Sequence, residues 1–496
     1  MKTKILAFLL AIITVLTFVS CGDDNKKKES ENALDLSKYV VAKNDKITVD
    51  AAIYAFFLYD YVGQYSYYLS WYGYDTTKPL TEQTSKCAFD ETKTWFEYFD
   101  EMTRTTVSQC IAFASAAMEA GMSLSDEDKA DLDEYMKQTE EEAFKQGYDG
   151  IEGLIANYYV KGITEESFRA CMELQQLAYM YVEKLLEEID NVDYDTTTLE
   201  KFVSEHKDEF YGIDYVHYTF FPVYDKDATD EEKKAAYADA KKRAEDFLKA
   251  NTDIESIKNA IVEIENEGEE EPYDPEVILA DYIETHELPA SDDGNENDKA
   301  YREWAFSPDR KAGDTYIREH EYSDSDVYYS VNCIIKPAYV EDTVTKTARH
   351  IFFEVNSKLT GDELEAAAKA AYDKAQEVYE TYKNGEMTSE AFAALAKEHS
   401  QDSNKDEGGI YENIGIGDMV SEFEDWIYDP ARKHGDTDII KTEYGYHIMF
   451  FEQDGLKVWE SQALDAYKDE LYTKASDELV AKYPLTFDSE AIKNIP

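Results

Sequence analysis

Apolar positions recur at helical spacing through the first two hundred residues, and the pattern changes after that. Between residues 46 and 206 it predicts helices over Ala51–Ser70, Lys93–Ala120, Ser125–Gln146, Ile151–Tyr159 and Thr164–Ile189. Thr48 is placed to cap the first of them. Ser125-Asp126-Glu127-Asp128 and Thr164-Glu165-Glu166 read as caps with acidic first turns, which suit the positive end of a helix dipole. The first helix carries Tyr54, Phe56, Phe57, Tyr59, Tyr61, Tyr65, Tyr67 and Tyr68, with Trp71 just beyond. Such a stripe is read mainly as core, with an exposed binding surface as the alternative.

In the second half, β-branched and aromatic runs alternate with helices. Asp214–Phe221 and Ala348–Phe353 read as strands. Each precedes a long helix, Thr229–Lys249 in one case and Gly361–Asn384 in the other. A dodecamer also recurs: Trp304-Ala305-Phe306-Ser307-Pro308-Asp309-Arg310-Lys311-Ala312-Gly313-Asp314-Thr315 returns as Trp426–Thr437 with Asp429-Pro430, Arg432-Lys433 and Gly435-Asp436 in step. The repeat marks 207–342 and 343–455 as two copies of one unit. The second adds a helix over Thr388–His399, then Ser400-Gln401-Asp402-Ser403, Gly408-Gly409, Gly417-Asp418-Met419-Val420 and a closing strand with His447. The first keeps His217, but its closing run Val327–Asn332 has no His, and acidic, turn-rich stretches at Glu263–Glu276 and Ser291–Asn297 fill its middle. It reads as a degenerate copy of the second. Leu456–Lys482 is again an amphipathic helix.

Charge and cysteines narrow the classes. The formal net charge is −57, which repels phosphate backbones and argues against nucleic-acid binding. Lys2 and Lys4 precede an apolar run, Ile5–Val19, too short for a comfortable membrane span and suited to a signal peptide over 1–21. Cys21 directly follows Ser20, and the charged stretch after it, 22–45, reads as a solvated tether. Cys87, Cys110, Cys171 and Cys333 show no paired spacing and no accompanying His cluster, so zinc is not expected. Three of them are assigned to helical patterns as buried apolar residues. Asp402–Asp406 begins like a calcium loop, but Glu407 stands where Gly is required and Asn413 where the bidentate Glu belongs. No metal or cofactor is expected. His206, His286, His320, His399 and His434 read as surface residues.

The His350 strand, the Ser-x-Asp-Ser…Gly-Gly loop, the Gly-x-Met…Phe-Glu segment and the closing Thr-x-x-Gly-Tyr-His-Ile occur in an order that resembles the parvulin family of peptidyl-prolyl isomerases. Within it they resemble the PrsA-type foldase lipoproteins. The helical region is similar to the chaperone domain of PrsA- and SurA-like proteins, and a degenerate first copy also occurs in the SurA type. The Ser20-Cys21 junction looks like a bacterial lipobox with Cys21 as the acylated residue. The resemblance implies an α+β chain: a helical chaperone domain (46–206), a degenerate parvulin-like domain (207–342), a parvulin domain of four antiparallel strands with flanking helices (343–455), and a C-terminal helix (456–496) returning to the chaperone domain. It implies a lipid-anchored extracytoplasmic foldase acting on X–Pro bonds of unfolded secreted proteins.

Such a bond has little trans preference but a barrier of roughly 20 kcal/mol. Catalysis needs a dry socket for the proline ring and polar groups that favour the twisted amide. Met419 and Phe423 are four residues apart, hence on one face of a helical turn, and line the socket with Tyr411. The resemblance places His350 and His447 side by side, Asp402 toward the substrate carbonyl, and Thr442 in hydrogen-bonding reach of the His pair. That pair reads either as part of a polarising network or as a satisfied core contact. Gly408-Gly409-Ile410-Tyr411-Glu412 departs from the family run, so Tyr411 narrows the socket and Glu412 bears on substrate preference. The rival reading is a chaperone that binds polypeptide without turnover. A third is a surface protein using the fold as an adhesive or structural module.

Overall fold

The computed structural model describes residues 35–75, 78–192, 194–289, 296–323 and 326–496. The signal peptide, Cys21, most of the tether and most of Ser291–Asn297 lie outside them. The fold is α+β, in two compact units: the chain up to Asp193 together with Ala466–Pro496, and Tyr194–Asp465.

The first unit opens with a hairpin the periodicity did not reveal, β1 (Val40–Lys43) and β2 (Thr48–Asp50). The Asn44 side chain closes its turn by accepting from the Lys46 and Ile47 amides. The hairpin takes Thr48 into β2, so the cap of α1 (Ala51–Leu69) is Asp50, which accepts from the Ile53 amide at 2.9 Å. The aromatic helix divides along its length. Tyr54, Phe56 and Phe57 are buried, whereas Tyr68 and, just past the helix, Trp71 and Tyr72 are exposed. A second short hairpin, β3 (Lys86–Cys87) and β4 (Asp90–Thr94), leads into α2 (Trp95–Glu119), α3 (Asp126–Lys145), α4 (Ile151–Tyr158) and α5 (Glu165–Asp190). Thr94 with Glu97, and Ser125 with Asp128, form reciprocal capping boxes. The core gathers Tyr54 and Phe56 from α1, Trp95, Phe99 and Ile111 from α2, and Phe168 and Val182 from α5.

The second unit runs α6 (Thr196–Glu205), α7 (Lys207–Phe210), β5 (Gly212–Phe220), α8 (Asp230–Ala250), α9 (Ile254–Glu265), α10 (Pro275–Ala280), β6 (Ile283–Glu287), α11 (Glu296–Ala305), β7 (Thr315–Ser323) and β8 (Asp326–Tyr339). It continues with β9 (Val344–Glu354), α12 (Gly361–Asn384), α13 (Ser389–His399), β10 (Ile410–Ile414), α14 (Ser421–Ile427), β11 (Thr437–Thr442) and β12 (Gly445–Lys457). Two antiparallel sheets result, ordered β6-β5-β8-β7 and β10-β9-β12-β11. The repeated Gly-Asp-Thr fixes their correspondence: Thr315 pairs with Cys333 in one and Thr437 with Phe450 in the other.

Strand alternation sorts the second sheet into two faces. Ile351, Phe353, Ile448 and Phe450 pack with Val378 of α12 and Phe392 of α13. Ala348, Met449 and Phe451 take Phe423, Trp426 and Ile427 of α14. By the same parity His350, Phe352 and Glu354 of β9, and His447 of β12, belong to the α14 face.

The chain ends with α15 (Val458–Lys482), β13 (Thr486–Phe487) and α16 (Ser489–Lys493). Tyr472, Leu479, Phe487, Ile492 and Ile495 join the first unit's core, and β13 pairs antiparallel with β1, Phe487 opposite Ala42. All four described cysteines are free and buried. Cys110 and Cys171 are helical, but Cys87 lies in β3 and Cys333 in β8, so two rather than three have the helical setting expected. Among the described residues, no helix is long and apolar enough to cross a membrane.

Candidate active site

On the α14 face, β9 and β12 place the two histidines as diagonal neighbours, with Met449 opposite His350 and Phe352 opposite His447. Both are buried. Their rings stack at 5.2 Å and 15°, with the two Nδ1 atoms 3.0 Å apart. At one end, Thr442 Oγ1 lies 3.0 Å from His447 Nε2. At the other, His350 Nε2 lies 2.6 Å from Asp402 Oδ2, the oxygen to which the Tyr411 hydroxyl donates at 3.0 Å. The result is one polar file, Thr442–His447–His350–Asp402–Tyr411.

Electrostatics give the file a direction. Contact with His350 holds the Asp402 carboxyl well below the usual carboxylate range, against the effect of burial. Burial, then the neighbouring His350, lowers His447 to about 3. Burial and the Asp402 charge raise Tyr411 to about 12. An ionised Asp402 requires a proton on His350 Nε2. The facing Nδ1 atoms of the two rings share one proton, and His447 Nε2 shares another with the Thr442 hydroxyl. The Thr442 oxygen in turn accepts from the Tyr444 amide at 3.2 Å. Thr442, His447, Asp402 and Tyr411 each have a hydrogen-bond partner, whereas His350 Nε2 meets Asp402 as a close ion-pair contact outside hydrogen-bond alignment.

Against this file stands an apolar wall. Phe423 is 2% exposed and meets both imidazoles edge-on, at 5.7 and 6.0 Å. Tyr411 approaches His350 at 5.3 Å. Phe352, which the sequence reading passed over, stacks on His447 at 4.7 Å. Met419 lines the same cleft, though not from the helical turn expected, because α14 begins only at Ser421. Its loop is folded back by Glu424, whose carboxylate accepts from the Gly417 and Met419 amides at 2.6 and 3.1 Å. Asp402 also lines the cleft, but both its oxygens are already engaged, Oδ1 by the Ser403 amide at 2.6 Å. The cleft measures about 610 Å³ and continues along Glu354–Lys358 and Tyr444.

A second residue missed from sequence holds the loop that presents Asp402. Arg349 points to the opposite face from His350, pairs with Glu452 at 2.6 Å, and donates to the carbonyls of Glu407 and Gly408. Gly408 and Gly409 have φ of 75° and 68°. Gly409 then comes close enough to β9 for its carbonyl to accept from the His350 amide at 2.8 Å. An arginine on the face of the strand shared with Ile351 and Phe353 was the available signal.

The first sheet carries a different arrangement at matching positions. Register puts Ser330 where His447 stands and His320 where Thr442 stands. His320 Nε2 lies 2.8 Å from Ser330 Oγ, to which Asn332 donates at 2.9 Å, so hydroxyl and imidazole have exchanged strands. His320 is therefore not the surface residue expected. Burial, then Arg318, lowers it to about 4. His217 is 3.6 Å from Glu284, which occupies the Tyr411 position. Where the second copy has Phe423, the first has Tyr301, covered by Arg318 at 4.7 Å. Arg318 in turn donates twice to Asp298, at 2.7 and 3.2 Å.

Residues 350–453 match the family model of the PPIC-type PPIASE domain, described as rotamase. Foldase protein PrsA 2 of Listeria monocytogenes is 34% identical over 117 residues, 23% of this chain and 38% of its own. Foldase protein PrsA of Caldanaerobacter subterraneus is 35% identical over 128 residues, 24% of this chain and 40% of its own. The chain thus spans about two fifths of these relatives. The crystal structure of PrsA from Bacillus subtilis aligns with 84% of this chain and 98% of its own at 15% identity. Its TM-score of 0.29 is too low to carry a shared fold. Residues 350–453 form a parvulin-type peptidyl-prolyl isomerase domain of the PPIC class, and part of the chain is similar in sequence to the PrsA foldases.

Proposed function

We infer that the chain is a foldase whose 343–455 segment exchanges cis and trans X–Pro bonds in client polypeptides. The observation that carries this reading is the single cleft in which an apolar wall faces an ordered polar file. Phe423, Met419 and Tyr411 would seat the proline ring and exclude water from one side of the amide. A twisted amide loses resonance, so its oxygen regains carbonyl character and its nitrogen a lone pair. The fixed dipoles of the Asp402–His350–His447–Thr442 file favour that state without reorganising. No bond is cleaved, and in this reading His447 and Thr442 are positioning residues acting through His350 and Asp402. In the first copy, the Arg318–Asp298 pair over Tyr301 fills the place of the socket, which supports a binding or spacer role.

The same reading takes 46–206, joined by 456–496, as a chaperone domain that holds unfolded secreted clients, and 207–342 as the silent copy. It places the protein on the extracytoplasmic face of a membrane, anchored through Cys21. The N-terminal sequence pattern supports the anchor. A non-catalytic chaperone is the second reading, favoured by one observation: Tyr411 is tied to Asp402 and narrows the cleft.

Exchange of X–Pro tetrapeptides by the full chain decides between them. Acceleration should fall at least about tenfold in Asp402→Ala and Met419→Ala. A folded chain that accelerates no peptide would leave the non-catalytic chaperone.

A further inference from the structure

The cleft does not end at the proline socket. Beyond His350 and Phe352, the alternation of β9 brings Glu354 onto the same face, at the strand end. Its side chain is exposed, lines the cleft, and makes no ion pair among the described residues. Beside it lies Tyr444, 54% exposed, held by the hydrogen bond from the Val355 amide to its carbonyl. Phe352 supplies a second ring between Glu354 and the histidines. A carboxylate fixed on a strand beside two aromatic faces suits a long cationic side chain, whose methylenes cover the rings while its head reaches the charge.

The other cleft charges point the same way. Asp402 and Asp418 also line it, against one cation, Lys358, on an exposed loop. The chain as a whole carries −57, so the field at the cleft favours cations before any contact forms.

We propose that Glu354 is a specificity-determining residue and that the cleft selects X–Pro segments with Lys or Arg next to the proline. This rests on the isomerase reading and adds to it the chemical class of substrate.

The test is turnover of Ala-Xaa-Pro-Phe peptides by the full chain, with Xaa as Lys, Arg, Leu or Glu. Lys and Arg should exceed Glu by about tenfold in kcat/KM at low salt, and the ratio should shrink as salt screens the charges. Glu354→Gln should narrow the ratio and Glu354→Lys should reverse it. Equal rates, or a preference for Glu, in a chain that turns over the Leu peptide would overturn the selection and leave the isomerase standing. If no peptide is turned over, the isomerase reading fails first. NMR titration of the same peptides then decides the selection alone: the Lys peptide must shift cleft resonances at lower concentration than the Glu peptide. Any other order overturns the proposal.

Discussion

The two sheets of the second unit share strand order and the Gly-Asp-Thr register, and the second presents a cleft bounded by rings and histidines while the first carries an arginine over the matching ring. Where the second sheet has Phe423 and Ile440, the first has Tyr301 and Arg318, and an ion pair to Asp298 accompanies the arginine. The hydroxyl and imidazole that meet in each sheet sit on opposite strands in the two. Backbone pairing and apolar layers thus tolerate wholesale change at the site positions, because the fold needs only the parity of the strands. The chemistry needs particular groups at particular register positions.

The largest expected effect breaks that comparison at Arg349. Its counterpart in the first sheet is Val216. Arg349→Met would leave the largely buried Glu452 carboxylate with only the Ser389 hydroxyl and a 3.7 Å approach of His434, and would release the loop that carries Asp402. A loss of about 3–5 kcal/mol should follow, read as an earlier urea transition, with turnover falling alongside. Val216→Met overpacks a fully buried site and should cost about 1–3 kcal/mol, with no loss of turnover.

Next comes imposing the first sheet's order on the second. The double variant Thr442→His with His447→Ser should keep the fold but lower turnover at least about tenfold, since the imidazole leaves the strand beside His350. Equal activity would show that the file's direction is irrelevant.

A smaller effect separates the two functional readings. Tyr411→Leu removes the hydroxyl bound to Asp402 and widens the socket. Turnover should rise by about twofold to fivefold if Tyr411 only narrows the cleft. A fall would make the Tyr411 hydroxyl part of the machinery.

Acid stability gives the most local signal. His447, lowered from 6.5 to about 3, stays neutral in the folded state while the unfolded chain takes up a proton. Stability should therefore fall with pH between about 6.5 and 3. Below 3.8, Asp402 adds a loss of the same sign, because its carboxyl is also lowered on folding. In the first sheet His320 gives a parallel loss between 6.5 and about 4. Urea midpoints against pH for His447→Gln and His320→Gln should each lose part of the slope.

Much of this was legible in sequence because periodicity is local. The long helices, the two strands bearing His217 and His350, and the repeat all follow from alternation and composition. What was lost depends on contacts between distant residues. The two-strand hairpin near the start and its partner Phe487 are too short for a period, and they displaced the cap from Thr48 to Asp50. Met419 was assigned to a helical turn by spacing alone, whereas the Glu424 side chain draws a loop to the same place. His320 looked like a surface residue until the register placed it against Ser330.

The measurement closest to the central claim is NMR exchange spectroscopy on an X–Pro peptide with the full chain, Phe423→Ala and Tyr301→Ala side by side. The native chain and Tyr301→Ala should accelerate exchange alike, and Phe423→Ala should lose at least about tenfold. Equal loss in both variants, or exchange unaffected by Phe423→Ala, would contradict the placing of the socket in the second sheet.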